Sequence, residues 1–293
     1  MTCLSKKQPM IVEELHRNRH KLRVKYSSAN LTQELFICSD VHFDSKKCAR
    51  ELFTKHLKEA EKRKAFVVIN GDFYDLMQGR YDPRGGKYNI RPEYKHANYI
   101  DCVINDGANF LGQFDLTYFI GQGNHETNIL KRLETNPIER LVERMNYRKQ
   151  GSAYMGGYSG WLRFAFEHEG GGNRMPYTIH YHHGYGGNAP RSKGLLKVDI
   201  NQMQYPDADM LIRGHDHNKW HVPVTVKRLT HGFDEKECIV DHLQTGSYKG
   251  TDDRFAGWEI EKGFNEPTMG GYFVTLRPNM TNMFVDVTIT DAR

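Results

Sequence analysis

Five apolar runs in this chain each end on a small cluster of Asp, Asn or His, and this recurring punctuation constrains the fold more than any other feature. Leu35-Phe36-Ile37-Cys38 leads into Asp40-Val41-His42. Residues 65–69 lead into Gly71-Asp72-Phe73-Tyr74-Asp75, and residues 116–120 into Gly123-Asn124-His125-Glu126. Residues 177–181 end on His182-His183-Gly184, and residues 209–212 on Gly214-His215-Asp216-His217. Short aliphatic and aromatic runs of this length read as buried strands. The clusters at their ends offer seven oxygen and nitrogen donors. Such donors hold two cations side by side only if all five strand ends meet.

Between the first two runs, Cys48, Leu52, Phe53, His56, Leu57 and Ala60 recur at helical spacing with Lys and Glu among them. Strand, helix, strand with motifs at the strand ends reads as a β-α-β unit. Further helices are predicted over residues 97–110, over 138–145 behind Asn136-Pro137, and near 196–204. Residues 161–166 and 177–181 alternate like antiparallel strands joined at Gly170-Gly171-Gly172. The tail reads as strands over 221–227, 237–242, 272–276 and 283–290. The basic segment from His16 to Lys25 is predicted to continue a short helix begun near Ile11. Its plainer reading is a solvated helix face, its sharper one a nucleic-acid contact. Residues 1–30 are therefore read as a basic N-terminal extension and 31–293 as one domain with a β-rich C-terminal part. That domain carries a loop insertion at 77–95, where Arg80 and Arg84 are interleaved with Tyr81, Tyr88 and Tyr94. Such a loop can stack bases or sugars and pair phosphates, or pack on its own aromatics as a lid.

With 293 residues and 38% hydrophobic content, the chain can fill a substantial core. No run of about 18 apolar residues is present, so no membrane span is expected, and the first twenty residues lack the apolar stretch of a secretory signal. The five cysteines include no C-x-x-C pair, which disfavours a disulfide framework or a structural zinc and fits a reducing cytoplasm. Cys38, inside an apolar run, reads as a core residue. The net charge of +5 permits a polyanionic substrate without requiring one.

Carboxylate and imidazole donors without thiolate suit Mn, Fe and Zn. The nominal ligands are Asp40, His42, Asp72, Asn124, His183, His215 and His217. An aspartate is the natural bridge, because each carboxylate oxygen can take one metal. Neutral Asn and His ligands leave the cation charge uncompensated, so that bound water loses a proton near neutral pH. Asp-x-His alone is a weak signal, whereas Gly-Asn-His-Glu is specific. On a strand, His215 and His217 would point to one side. Alternation puts His180 and His182 on one face and His183 on the other, so it leaves the fourth ligand open between His182 and His183. Asp44 reads as a turn or helix-cap residue. His221, His231 and His242 read as surface or packing histidines, and Trp258 and Phe264 as packing residues. Arg191 and Lys193, in a loop behind Gly186-Gly187, are candidate phosphate contacts.

The order and wording of the five motifs, D-x-H, G-D-x-x-D, G-N-H-[DE], H before G, and G-H-x-H, resemble the calcineurin-like metallophosphoesterase superfamily across residues 40–217. That resemblance implies an α/β fold: a four-layer α-β-β-α sandwich of two mixed sheets flanked by helices, with two metals at the strand ends. It assigns one metal to Asp40, His42, Asp72 and His217, and the other to Asp72, Asn124, His183 and His215. It selects His183 as the residue directly before Gly184. It makes His125 the proton donor to the leaving group, with Asp75 orienting its ring and stabilising the imidazolium. Protein phosphatases of the superfamily follow the second motif with a phosphate-gripping arginine. Leu76 stands there in this chain, which counts against a phosphoprotein substrate.

The function expected from these residues is a dinuclear-metal phosphodiesterase, a nuclease, working by in-line attack of a metal-bridging hydroxide on a phosphodiester such as DNA. Its cofactors would be two divalent ions, with Mn2+ favoured and Fe, Zn or Ni as alternatives. Arg191, Lys193, Arg80 and Arg84 would contact the substrate. The alternative keeps the chemistry on a nucleotide or sugar-nucleotide. A non-catalytic scaffold would require gaps in the ligand set, and none is found.

Overall fold

In the computed structural model, the residues described are 10–27, 31–76, 90–95, 97–171, 174–186, 192–230, 232–250, 268–279 and 283–293. Thirteen strands among them form two mixed sheets. The first sheet takes β3 (Gln33–Cys38), β4 (Phe66–Ile69), β5 (Thr117–Ile120) and β6 (Ala153–Met155) in parallel. β12 (Tyr272–Asn279) and β13 (Phe284–Asp291) extend it antiparallel beyond β3. The second sheet contains β1 (Ile11–His16), β2 (Arg19–Tyr26), β7 (Ser159–His168), β8 (Arg174–His182), β9 (Met210–Arg213), β10 (Trp220–Leu229) and β11 (Glu235–Gln244), in the order β1-β2-β7-β8-β9-β11-β10. Within it β8, β9 and β11 run parallel.

Strand alternation builds the layers. Leu35 and Ile37 of β3 face the core between the sheets, with Phe66, Val68, Leu162, Phe164, Ile179, Met210 and Val274. Phe36 and Cys38 point the other way, into a second core beneath the helices. That core is closed by α1 (Arg50–Arg63), α2 (Tyr99–Leu111), α3 (Asn124–Leu133) and α4 (Pro137–Arg148), through residues such as Phe53, Val103, Ile129 and Leu141. Asn136 caps α4, its side-chain oxygen accepting the Glu139 N–H at 3.3 Å with Pro137 in the first turn. On the outer face of the seven-stranded sheet, α5 (Lys197–Gln204) covers a small apolar group of Ala208, Leu211 and Val240. The four-layer α-β-β-α arrangement expected from the sequence is the one observed. No helix among the described residues is long and apolar enough to cross a membrane.

The basic segment near the N-terminus departs from the expected helix. Residues 11–26 form the hairpin β1–β2, and β2 pairs in parallel with β7 over its whole length. The reason lies in the period. His20, Leu22, Val24 and Tyr26 are buried while Arg19, Arg23 and Lys25 alternate with them, so the apolar positions recur every two residues, not at helical spacing. Arg23 holds the cross-strand pair with Glu167 at 2.8 Å and reaches Glu13 at 3.2 Å. The described part of the expected extension is thus woven into the sheet. Two other differences are local: α3 starts on Asn124 itself, and the three-residue β6 is not among the expected strands. Gly172 of the expected turn lies outside the described residues.

Because β3, β4 and β5 are parallel, as are β8, β9 and β11, their C-terminal ends converge at one edge of the sandwich. Crevices at the carboxyl ends of parallel strands are where α/β folds place ligands. Leu22, fully buried between the sheets, tests the hairpin assignment: Leu22→Ala should cost about 2–5 kcal/mol in urea unfolding. A solvated helix face at that position would give a change within about 0.5 kcal/mol.

Candidate metal centre

The loop after β3 and the loop after β4 run on side by side beyond the strands. Asp40 donates its N–H to Gly71 O (3.1 Å), His42 to Asp72 O (3.1 Å) and Phe43 to Phe73 O (2.8 Å). This extended ladder holds Asp40, His42 and Asp72 at φ of 51°, 49° and 49°, in the left-handed region that non-glycine residues avoid. Asp44 locks the same loops from the other side. It is buried and accepts the N–H of Asp75 (2.6 Å) and Leu76 (3.0 Å), and the Tyr99 hydroxyl also donates to it. It therefore anchors the second motif; α1 begins behind Ala49 instead.

Helix α3 brings its N-terminus against Asp72, whose Oδ1 accepts the His125 N–H at 3.0 Å. A Cβ on Gly123 would lie 2.0 Å from that oxygen, so the glycine is required by close approach. Glu126, fully buried, accepts backbone N–H groups from Gly123 (2.8 Å), Tyr74 (2.9 Å) and Asp72 (3.2 Å), tying helix and loop together. From the second sheet, His183 places Nε2 3.1 Å from Asp72 Oδ2 and 3.1 Å from Asn124 Oδ1. His215 places Nδ1 2.9 Å from Asn124 Oδ1, and His217 places Nε2 3.2 Å from Asp40 Oδ1.

The structure thus gathers Asp40, His42 and His217 into one cluster and Asp72, His183 and His215 into another, with Asn124 beside the second. His183 is the histidine that enters. His182 turns away and accepts the Gly184 N–H at 2.9 Å. His215 and His217 lie past the end of β9 with φ of 71° and 54°, so they are not on a strand, and their rings serve different clusters. The strand expectation fails because Gly214 ends the ladder before either residue.

The donor set fits cations. Among the described residues His42 Nε2 is buried without a hydrogen-bond partner and faces Asp40 Oδ1 at 4.0 Å, and the only ring nitrogen closer to that oxygen is His217 Nε2 at 3.2 Å. Acceptor-only groups fix the histidine tautomers. His42 Nδ1 meets the Asp75 carboxylate (2.8 Å), His183 Nδ1 the Asn70 carbonyl (2.9 Å), and His215 Nε2 the Gly186 carbonyl (3.0 Å). Each of these nitrogens must donate, so in the neutral ring the other nitrogen, which on His183 must first give up a proton, turns its lone pair into the clusters.

Electrostatics agree. Burial opposes ionisation of Asp40 and Asp72, yet His183 beside both holds each below the usual carboxylate range. Burial likewise works against His183, but the Asp72 and Asp40 carboxylates push it up to about 10 in the metal-free protein. Burial, then Lys249, bring His42 down to about 4.

The expected dyad is rearranged. His125 Nδ1 donates to the backbone carbonyl of Asp75, and the Asp75 carboxylate is 3.7 Å away. That carboxylate instead accepts from His42 Nδ1 and, on the same oxygen, from Lys249 Nζ at 2.7 Å. The backbone path through Asp75 into Leu76, which is at φ 44°, puts the Asp75 carbonyl, not its side chain, on His125 Nδ1. Lys249, in the loop after β11, carries no motif in the sequence; only folding brings it here. Of the expected substrate contacts, Lys193 is exposed, with its carbonyl accepting Trp220 Nε1 at 2.9 Å. Arg191, Arg80 and Arg84 lie outside the described residues, as do His231, Trp258 and Phe264. Tyr94 of the loop insertion is buried against Arg50 and Asp106. His221 pairs with Asp241 at 2.7 Å and His242 with Gln202 at 2.9 Å, as packing histidines do.

The family model for calcineurin-like phosphoesterases matches residues 34–219. No curated protein matches the chain significantly by sequence. Similar solved structures include GAP50, the anchor in the inner membrane complex of Plasmodium, at 14% identity over 89% of this chain and 85% of that one, with a TM-score of 0.43. Vps29 from Entamoeba histolytica, complexed with Zn2+, aligns at 13% identity over 89% and 100% with a TM-score of 0.34. A conserved uncharacterized protein of Streptococcus pneumoniae, a predicted phosphoesterase, aligns at 14% identity over 89% and 91% with a TM-score of 0.29.

Because metal must displace the proton that Asp72 and Asp40 hold on His183, cation binding should release protons below pH 10, and affinity should fall as pH falls. Calorimetric titration with Mn2+ near pH 7.5, in buffers of different ionisation enthalpy, should give about one proton released per His183 site. Buffer-independent heats would mean that His183 is already neutral.

Proposed function

The chain belongs to the calcineurin-like phosphoesterase family, and from that premise we propose that it is a phosphodiesterase acting on nucleic acid. Membership in that family brings a dinuclear metal centre and metal-dependent phosphoester hydrolysis. The diester and the polymer are the proposed part. In this reading Asp40, His42, Asp72 and His217 hold one ion, and Asp72, Asn124, His183 and His215 the other. The observation that carries it is the place of Asp72, one carboxylate within reach of ligand nitrogens of both groups. Two divalent ions there, Mn2+ by preference, would activate water and draw charge off the phosphoryl oxygens.

The chain's own residues do the rest. His125 keeps Nδ1–H on the Asp75 carbonyl, so Nε2, 3.8 Å from Asp72 Oδ2, is the nitrogen turned toward the cluster. As the imidazolium, with its second proton on Nε2, it would be placed to hand that proton to the departing oxygen and return to the Nδ1–H tautomer. Asp75 and Lys249 hold the His42 ring in the tautomer that ligation needs. Leu76 supports the diester. It is buried with its N–H on Asp44, at the position where the protein phosphatases grip a phosphate dianion with arginine. Among the described residues, no arginine pairs with any of the candidate ligands, His125 or Asp75. A site without that guanidinium suits the single charge of a diester better than a monoester dianion.

Two measurements test this. The Mn2+-loaded protein should hydrolyse bis-p-nitrophenyl phosphate at least about tenfold faster than p-nitrophenyl phosphate, a difference of ~1.4 kcal/mol in barrier; preference for the monoester would defeat the diester assignment. Asp72→Asn should lose at least one of two bound ions by metal analysis and about 10–100-fold or more in rate. Full activity in that variant would remove Asp72 from its bridging role.

A further inference from the structure

Beyond the metal clusters, one buried charge has no counterpart. On the outer face of the seven-stranded sheet, His182, Arg213 and Gln244 stand side by side on β8, β9 and β11, with His180, Leu211 and His242 in the row before. Helix α5 and Tyr205 lie over them. Arg213 is 5% exposed. Its Nη2 donates to Asn201 Oδ1 at 2.5 Å, and its guanidinium carbon sits 5.8 and 6.0 Å from the Tyr205 and Tyr185 rings. The Tyr205 side chain also interacts with the guanidinium, but among the described residues Nε and Nη1 are buried with no well-formed acceptor, and His180 Nδ1 in the same layer is buried without a partner. Among the described residues no carboxylate pairs with this guanidinium. Asp216, Asp209 and Asp241, on the surrounding elements, pair with Lys197 (3.0 Å), Arg228 (2.6 Å) and His221 (2.7 Å).

A guanidinium cannot shed its proton, and an unpaired charge inside a protein is among the costliest groups to bury. Water could satisfy the unpaired N–H groups but would leave the charge uncompensated. An anion with several oxygens satisfies both. We propose that Arg213, with His180 beside it, forms a binding site for a phosphate-type oxyanion between α5 and the sheet, behind the second metal cluster and covered by Tyr185. The cover fits the role. The Tyr185 ring is 43% exposed, whereas its backbone is pinned by Lys197 Nζ on Tyr185 O (2.6 Å) and by His215 Nε2 on Gly186 O (3.0 Å). Lys197, 5.0 Å from the ring and paired with Asp216 at 3.0 Å, stands at the same edge. Since Arg213 and His182 adjoin His215 and His183 in the chain, an oxyanion here would brace the strand ends that carry two candidate ligands. The site stands whether or not the substrate is a diester. The anion is free inorganic phosphate or a phosphate carried on a nucleotide.

Melting temperatures of the full-length, metal-loaded protein and of Arg213→Met test it, in sodium sulfate against sodium chloride at equal ionic strength. In chloride the variant should melt no lower than the parent, because it no longer buries an unpaired charge. In sulfate the parent should gain about 3 °C more than the variant at ten times the dissociation constant. General salting effects and binding at the metals act on both proteins and cancel. Thymidine 5′-monophosphate in place of sulfate separates the sources: an Arg213-dependent gain with both probes marks a site open to nucleotide phosphate, and a gain with sulfate alone marks a site for the free ion. Equal gains in the two proteins would overturn the proposal. Should Arg213→Met fail to fold, crystals of the unaltered protein soaked in selenate decide it. An anomalous peak beside Arg213 supports the site, and density for water alone, or selenate only elsewhere, refutes it.

Discussion

Two carboxylates, Asp40 and Asp72, are buried where the ends of two sheets meet, and the arrangement of this edge follows from having to keep them charged. Asp40 is fully buried and takes the Ser39 hydroxyl and the His215 N–H on one oxygen. Asp72 takes the first turn of α3 on one oxygen and His183 on the other. The donors come from both sheets, so the carboxylates join layers that are packed on a shared apolar core and share polar contacts such as Asn70 Nδ2 to His182 O at this same edge. Removing such donors would leave bare buried charge, a far larger penalty than losing an exposed ion pair.

Holding these groups requires unfavourable backbone. Asp40, His42, Asp72, His215 and His217 all sit at positive φ, five of the seven candidate ligands. Strain of this kind persists only where the surroundings over-determine it. Here the parallel hydrogen bonds running on past β3 and β4, the Asp44 and Glu126 carboxylates gripping backbone N–H groups, and glycines that allow close approach at Gly71 and Gly123 supply that determination. The local cost of order 1–3 kcal/mol per residue is offset by anchors that never touch a ligand. Asp44 and Glu126 are therefore as much part of the centre as the histidines.

This division explains what the sequence could reveal. The residues that gather at this edge were legible because each follows an apolar run and the motif order is specific. The layers were legible because Leu35, Phe36, Ile37 and Cys38 are apolar throughout, as a strand buried on both faces must be. The β1–β2 hairpin was not legible, since Arg and Lys between Leu22, Val24 and Tyr26 resemble a basic helix until β7 supplies a partner. The strand geometry assumed for His215-x-His217 failed for lack of any local sign that both residues adopt left-handed backbone. Lys249 lies 174 positions from Asp75, and no periodicity or spacing links them. Asp75 was found in the sequence, but which of its atoms meets His125 and which meets His42 is decided by the backbone path after β4.

The Lys249 contact also settles the charge balance of the site. Asp75 is held well below the usual carboxylate range: burial works against it, but Lys249 and then His42 prevail. Its charge is spent on Lys249 and on orienting a ring, so it does not count against the cations. With two divalent ions bound as proposed, two carboxylates, Asp40 and Asp72, would face them, with Asn124 and four histidines as neutral donors. The sum would be positive by two charges. A centre so balanced would attract a phosphoryl anion and favour the ionised form of bound water. Had Asn124 been an aspartate, or Lys249 neutral, the surplus would shrink and with it the pull on the substrate. The cation that no motif announces thus preserves the charge that the motifs create.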